Sequence, residues 1–172
     1  LPKVVHNDRR VIGNEEVKNH KWNQSKLSDI SKKYLKSLKT SQNIEIEGKR
    51  IYIVHYPQKE DGTYKKHIKN PTINEIEEMF NGISADIFLF GHTHTFSVNN
   101  MENKWYINTA SLGCPMDSNT AKAGLIEIDK GRIEFKKINV EYDVKKVIEK
   151  IKKLKIPFYK EILKIFYGVN EL

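Results

Sequence analysis

A chain of 172 residues with 38% hydrophobic and 30% charged side chains has enough apolar material for one domain with a real core, and is too short to demand two. Its formal charge of +8 favours an anionic partner (a phosphate substrate, a nucleic acid or a membrane surface) without choosing among them. The single cysteine, Cys114, excludes an internal disulfide and a cysteine-rich zinc site, and no apolar run is long enough to span a bilayer. The opening LPKVVHNDRR lacks the basic-then-apolar layout of a signal peptide, so a cytoplasmic location is expected. Because the chain starts at Leu1, it is also expected to belong to a longer polypeptide.

In chain order, VIGNEE at residues 11–16 runs an apolar pair into Gly13 and Asn14, a strand-to-loop junction. Leu27, Ile30, Tyr34, Leu35 and Leu38 recur at spacings of three and four, which predicts an amphipathic helix with Ser25 or Ser28 as its cap. NIEIEGKRIYIVHYP predicts two strands about a tight turn at Gly48, the first alternating and half wet, the second apolar on both faces and ending in His55. Thr72 and Glu75 form a capping box for a short helix with Ile73, Ile76, Met79 and Phe80 on its inner stripe. DIFLFGHTHTF then carries a buried strand straight into His92 and His94.

Beyond it, TFSVNN, KWYINT, KAGLIEID and GRIEFKKINV predict a meander of consecutive strands with turns at residues 99–103 and 129–131. Two helices close the chain, the second starting at Pro157 and ending before Gly168. The lysines of VKKVIEKIKKLKI form the solvated face of the first. Phe158, Tyr159, Phe166 and Tyr167 fall among Ile and Leu at helical spacing, which suits core packing better than base stacking, so nucleic acid is not an expected partner.

Strand, helix, strand, with both apolar strands ending in histidine, is the informative pattern. In open α/β sheets ligands gather beyond the carboxyl ends of the strands, where His55 and His92 fall. Neutral imidazole is a ligand for Zn, Fe, Mn or Ni, and Gly91 is expected to let the backbone turn so that His92 and His94 face one region. An H-x-H tripeptide is weak by itself; His55 and the Gly13–Asn14 junction are what raise it.

On these residues the chain resembles the calcineurin-like metallophosphoesterases, in particular their small prokaryotic phosphodiesterase branch. GHTH matches the family's last metal motif, VHYP stands for its VHG, VIGNEE for its GNHD, and INTASLGCP is similar to its INPGS loop. The resemblance implies an α/β fold, part of a four-layer α/β/β/α sandwich with mixed sheets flanked by helices, in a single domain over residues 1–172 that is N-terminally incomplete. It implies two divalent transition-metal ions (Mn, Fe, Zn or Ni), with Asn14, His55 and His92 on one and His94 on its neighbour. Paired cations about 3.5–4 Å apart would neutralise a phosphodiester and activate a hydroxide for attack on phosphorus. The implied activity is hydrolysis of small phosphodiesters or nucleotides, with no membrane partner and self-association left open.

Two departures stand out. The family's D-x-H and G-D-x-x-D motifs should precede GN by tens of residues, yet only twelve residues come before Gly13, and Asp8 fits neither pattern. Glu15 stands where many relatives place a proton-donating histidine; it is the candidate acid if burial or Glu16 raises its pKa, and a solvated carboxylate otherwise. Both departures feed the rival expectation, a non-catalytic scaffold or partner-binding protein on the same fold, as in the retromer subunit that resembles this family.

Overall fold

The computed structural model describes residues 13–114 and 119–170. Val11, Ile12 and Asp8, and with them the strand expected before Gly13, lie outside that range, as does Pro115. The sheet that positions the histidines begins with the hairpin of β1 (Ser41–Ile46) and β2 (Lys49–Val54), paired antiparallel with Ile46 opposite Lys49. Glu47 and Gly48 make its two-residue turn with φ of 48° and 71°, the backbone that matches strand twist and that glycine adopts without penalty.

From β2 the chain crosses through α3 (Ile73–Met79) to β3 (Ile87–Phe90), which lies parallel to β2. Helix α3 starts as its sequence predicts: the Thr72 side chain accepts from Glu75 N, and the Glu75 carboxylate accepts from Thr72 N at 2.8 Å. β4 (Phe96–Met101) and β5 (Lys104–Thr109) then form a hairpin whose second strand pairs parallel with β3, giving the order β1-β2-β3-β5-β4.

Alternation along the inner strands gives the sheet two apolar faces. Val54, Phe88, Phe90 and Tyr106 point to one side and pack with Ile76, Met79 and Phe80 of the α3 segment. Ile51, Ile87 and Ile107 point to the other and meet Ile126, Ile128, Ile133 and Phe135. Those belong to a second sheet of two strands, β6 (Thr120–Asp129) and β7 (Arg132–Glu141). The result is the expected mixed α/β class, a mixed sheet with a helix on one face and a second sheet on the other. Gly124 of β6 is bare for a packing reason: a Cβ there would lie 2.5 Å from Cε2 of Phe135.

The expected meander is not continuous. β5 already has β3 on one edge and β4 on the other, so β6 finds no free edge and pairs with β7 in a separate sheet.

Among the helices, α1 (Asn14–Lys26) starts directly after Gly13, and α2 (Asp29–Ser37) is capped by Ser28, whose hydroxyl accepts from Ser31 N at 3.1 Å. The apolar face predicted for this helix is not covered: Ile30 is 82% and Tyr34 64% exposed. Amphipathic spacing fixed the helix, but nothing among the described residues buries its apolar side.

At the other end lie α4 (Val144–Leu154) and α5 (Tyr159–Tyr167). The α5 start is two residues later than Pro157 implies, because Phe158 takes a left-handed conformation, and the helix stops at Gly168. The lysines of α4 are exposed while Val144, Val147, Ile148 and Ile151 are half-buried, so the basic run is a solvated face. α1 joins this end of the molecule through buried Asn19, whose Nδ2 donates to the Pro157 carbonyl at 2.8 Å. No described helix is long and apolar enough to cross a membrane.

Candidate metal centre

Two parallel strands deliver the histidines. His55 follows the last residue of β2, and Gly91 follows the last of β3; the Gly91 N–H donates to the His55 carbonyl at 2.9 Å, so the strand ends are tied together. The turn expected at Gly91 is made by the histidines themselves. His92 and His94 have φ of 76° and 56°, while Gly91 is not in the positive-φ region. A left-handed backbone costs a non-glycine residue about 1–2 kcal/mol, and strain of this kind gathers at functional sites.

Asn108 on β5 holds that strained loop. It is buried, and its Nδ2 donates to the Gly91 carbonyl (3.2 Å) and to Thr93 Oγ1 (2.9 Å), while Oδ1 accepts from Ala110 N (2.9 Å). The two bonds from Nδ2 hold residues that flank His92 and His94, and the third ties the side chain to its own strand end. Asn108 lies in the INTASLGCP stretch, but its part in the site follows only from β5 pairing with β3.

The histidines converge. His55 Nε2 lies 3.0 Å from His92 Nδ1, with the rings at 89°. His94 Nδ1 lies 3.0 Å from the Cys114 carbonyl; since a carbonyl only accepts, the proton is on Nδ1 and Nε2 is the donor atom of the neutral ring. Phe166 of α5 stacks on that ring at 5.4 Å, and the Tyr167 hydroxyl donates to the Gly113 carbonyl at 2.7 Å, so α5 supports both His94 and its orienting carbonyl. Partial burial, then the nearby His94 and His67, lower the pKa of His55 below the ordinary 6.5, which keeps its ring neutral at pH 7.

One member of the cluster has no signal in the sequence pattern. His67 Nδ1 lies 3.4 Å from His92 Nε2, with ring centroids 4.1 Å apart, and Tyr64 is 5.1 Å from the same ring. Both come from a strap between β2 and α3 that turns back through a bridge of Gln58 to Tyr64.

Asn14 and Glu15 stand elsewhere in character. Both are exposed in the first turn of α1, and Glu15 is paired with Lys18 at 2.5 Å. Among the described residues nothing buries Glu15. Among the described residues, no three His, Cys, Asp or Glu side chains form a ligand set by themselves. The donor chemistry nevertheless fits a cation. Two nitrogens each about 2.0–2.1 Å from one ion lie roughly 3 Å apart, the separation between His55 Nε2 and His92 Nδ1.

Residues 3–131 match the calcineurin-like phosphoesterase superfamily domain, and the chain belongs to that superfamily. It is similar to an uncharacterized protein of Methanocaldococcus jannaschii, 27% identical over an alignment of 157 positions that covers 79% of this chain and 59% of that protein. Among solved structures it is similar to a hypothetical protein of Pyrococcus horikoshii, at 21% identity and a TM-score of 0.73 over 92% of this chain and 62% of that one. A metallophosphoesterase of Sphaerobacter thermophilus follows at 20% identity and a TM-score of 0.63, over 87% and 65%. The chain thus spans about six-tenths of the length of the relatives it matches.

Proposed function

We propose that the polypeptide is a metal-dependent phosphoesterase acting on small phosphodiesters or nucleotides in the cytoplasm. The observation that carries the reading is the pair His55 Nε2 and His92 Nδ1, two imidazole nitrogens at the spacing of neighbouring ligands, with His94 turned by the Cys114 carbonyl so that Nε2 is its donor. Superfamily membership supports it at the level of phosphoester chemistry. His55, His92 and His94 would hold divalent transition ions, two in the complete site, and Asn14 would add an amide oxygen. The ions would neutralise the charge of the ester and acidify a water. The chain's own residues orient donors: the Gly91–His55 bond joins the strand ends, Asn108 sets the loop, and Phe166 fixes the His94 ring. Further ligands from outside the described residues belong to this proposal.

Turnover of a chromogenic phosphodiester by the complete polypeptide tests it. Activity restored by Mn²⁺ or Zn²⁺ after chelation supports the reading; activity indifferent to chelation contradicts it.

The second reading, a partner-binding protein on the same fold, draws on the uncovered apolar residues of α2 and of the residue that ends it, with Leu35 and Leu38 each 49% exposed, and on the exposed Glu15. Elemental analysis separates the two: near-stoichiometric transition metal supports hydrolysis, and its absence supports the scaffold.

A further inference from the structure

The strap between β2 and α3, residues 57–70, borders the histidine cluster but has no part in the metal chemistry proposed above. It sets two planar rings beside the strand ends. The Tyr64 ring stands 5.1 Å from the His92 ring and 5.9 Å from the His55 ring, and the His67 ring stands 4.1 Å from that of His92. Both rings are pinned by the fully buried Tyr56, which meets His67 edge-on at 5.3 Å and Tyr64 edge-on at 6.2 Å. The Tyr56 hydroxyl donates to the Lys66 carbonyl and accepts from Ile68 N, both at 3.1 Å, so the backbone on either side of His67 is tied to the core.

The stretch leading to Tyr64 is braced too. Gln58 bridges to Tyr64, Lys59 N donates to the Thr63 carbonyl at 2.7 Å, and Asp61 Oδ1 accepts from Thr63 N and Oγ1 at 2.9 and 2.6 Å. Lys65 Nζ fastens the strap to the end of α3 through the Glu78 and Met79 carbonyls at 3.1 and 2.7 Å. Yet neither ring belongs to the core: His67 is exposed and Tyr64 half-buried. Aromatic surfaces that are held in place and reach solvent suit a flat ligand group, because little freedom is lost when it binds.

We propose that the strap is the specificity wall of the site: Tyr64 and His67 receive a flat aromatic group of the ester, a nucleobase or aryl ring, while its phosphate lies at the histidines. Esters that carry such a group are then preferred to those of a simple alcohol or sugar. The inference rests on the phosphoesterase reading of the same site. Stacking uses ring faces, so the role does not depend on the charge of either side chain. A base stacked on an aromatic side chain gains about 5–150-fold in affinity.

Inhibition of diester turnover by adenosine 5′-monophosphate and by ribose 5-phosphate, in the complete polypeptide loaded with Mn²⁺, isolates the base, since both compounds carry the same sugar phosphate. The nucleotide is expected to bind at least about tenfold more tightly. His67→Leu and Tyr64→Leu, which keep apolar bulk without a ring, should each lower that preference about fivefold or more, whereas His67→Phe and Tyr64→Phe should keep it. A merely structural strap would weaken both inhibitors alike and leave their ratio unmoved. Equal inhibition by the two compounds in the unsubstituted protein overturns the wall and leaves hydrolysis standing. So does a preference that survives both leucine variants, or one lost equally with leucine and phenylalanine. Absence of turnover in the metal-loaded, unsubstituted protein is a different failure, which overturns the phosphoesterase reading and the wall together.

Discussion

His55 and His92 stand at the ends of adjacent parallel strands with Nε2 and Nδ1 3.0 Å apart, and the bond from Gly91 N to the His55 carbonyl makes that separation a property of the sheet. Side chains placed by strand ends are held more firmly than side chains placed by loops. Replacing either ring should therefore remove a donor without disturbing the core: neither His55, only part of whose ring is shielded, nor half-buried His92 is a core side chain. His92→Ala is expected to lower Zn²⁺ affinity by at least tenfold while the metal-free unfolding midpoint changes little, as read by calorimetry and denaturant titration.

The pH response follows from His55. Its folded pKa lies below 6.5, chiefly through burial and then through His94 and His67, so the unfolded chain takes up the proton first as pH falls. The stability this group contributes is present above about pH 6.5 and is lost as pH drops through the lowered folded value. Urea titrations of the metal-free protein at pH 7.5 and 5.5 should show a smaller loss in His55→Gln than in the unsubstituted protein. Equal losses would mean that His55 does not titrate as described.

Asn108 couples the core to the site. Its substitution by alanine leaves the Ala110 N–H without its acceptor and the Gly91 carbonyl without its donor. A cost of about 1–3 kcal/mol is expected in denaturant unfolding, for a buried polar group left unmatched. Zinc affinity should fall with it, because His92 and His94 lose the brace on a strained backbone.

Glu15 gives a sharp negative. Exposed and paired with Lys18, it should be replaceable: Glu15→Gln is expected to leave diester turnover within about threefold, whereas removal of a working acid costs about 100-fold or more. Steady-state rates under saturating metal decide it.

Gly124 tests the contact between the sheets. A methyl there would fall 2.5 Å from Cε2 and 2.8 Å from Cζ of Phe135, atoms at the end of a ring that must move. Gly124→Ala should cost about 1–3 kcal/mol in urea unfolding, and adding Phe135→Leu should return part of it.

The histidines at strand ends were legible because an apolar run that stops in imidazole breaks the pattern of a core strand. The hairpin turn at Gly48 and the capping box at Thr72 were legible because both are made by residues close in sequence. His67 was not. Its neighbours Lys65, Lys66 and Lys69 give a basic stretch with no periodic signal, and its position depends on Tyr56, eleven residues away and in the core. Asn108 was hidden for the same reason, since its bonds depend on which strand β5 joins. Periodicity found α2 but could not say what its apolar stripe meets, and α1, polar on most sides, offered no stripe to find. The turn assigned to Gly91 fell to His92 and His94, a strain that no local preference predicts.

Crystals of the complete polypeptide grown with Mn²⁺ or Zn²⁺ offer the most direct measurement, through anomalous scattering that locates each ion. An ion about 2.0–2.2 Å from both His55 Nε2 and His92 Nδ1, with His94 on it or on a close neighbour, is the expected result. An ion bound elsewhere, or none at all with the imidazoles still bonded only to one another, would contradict the metal centre and the hydrolysis proposed for it.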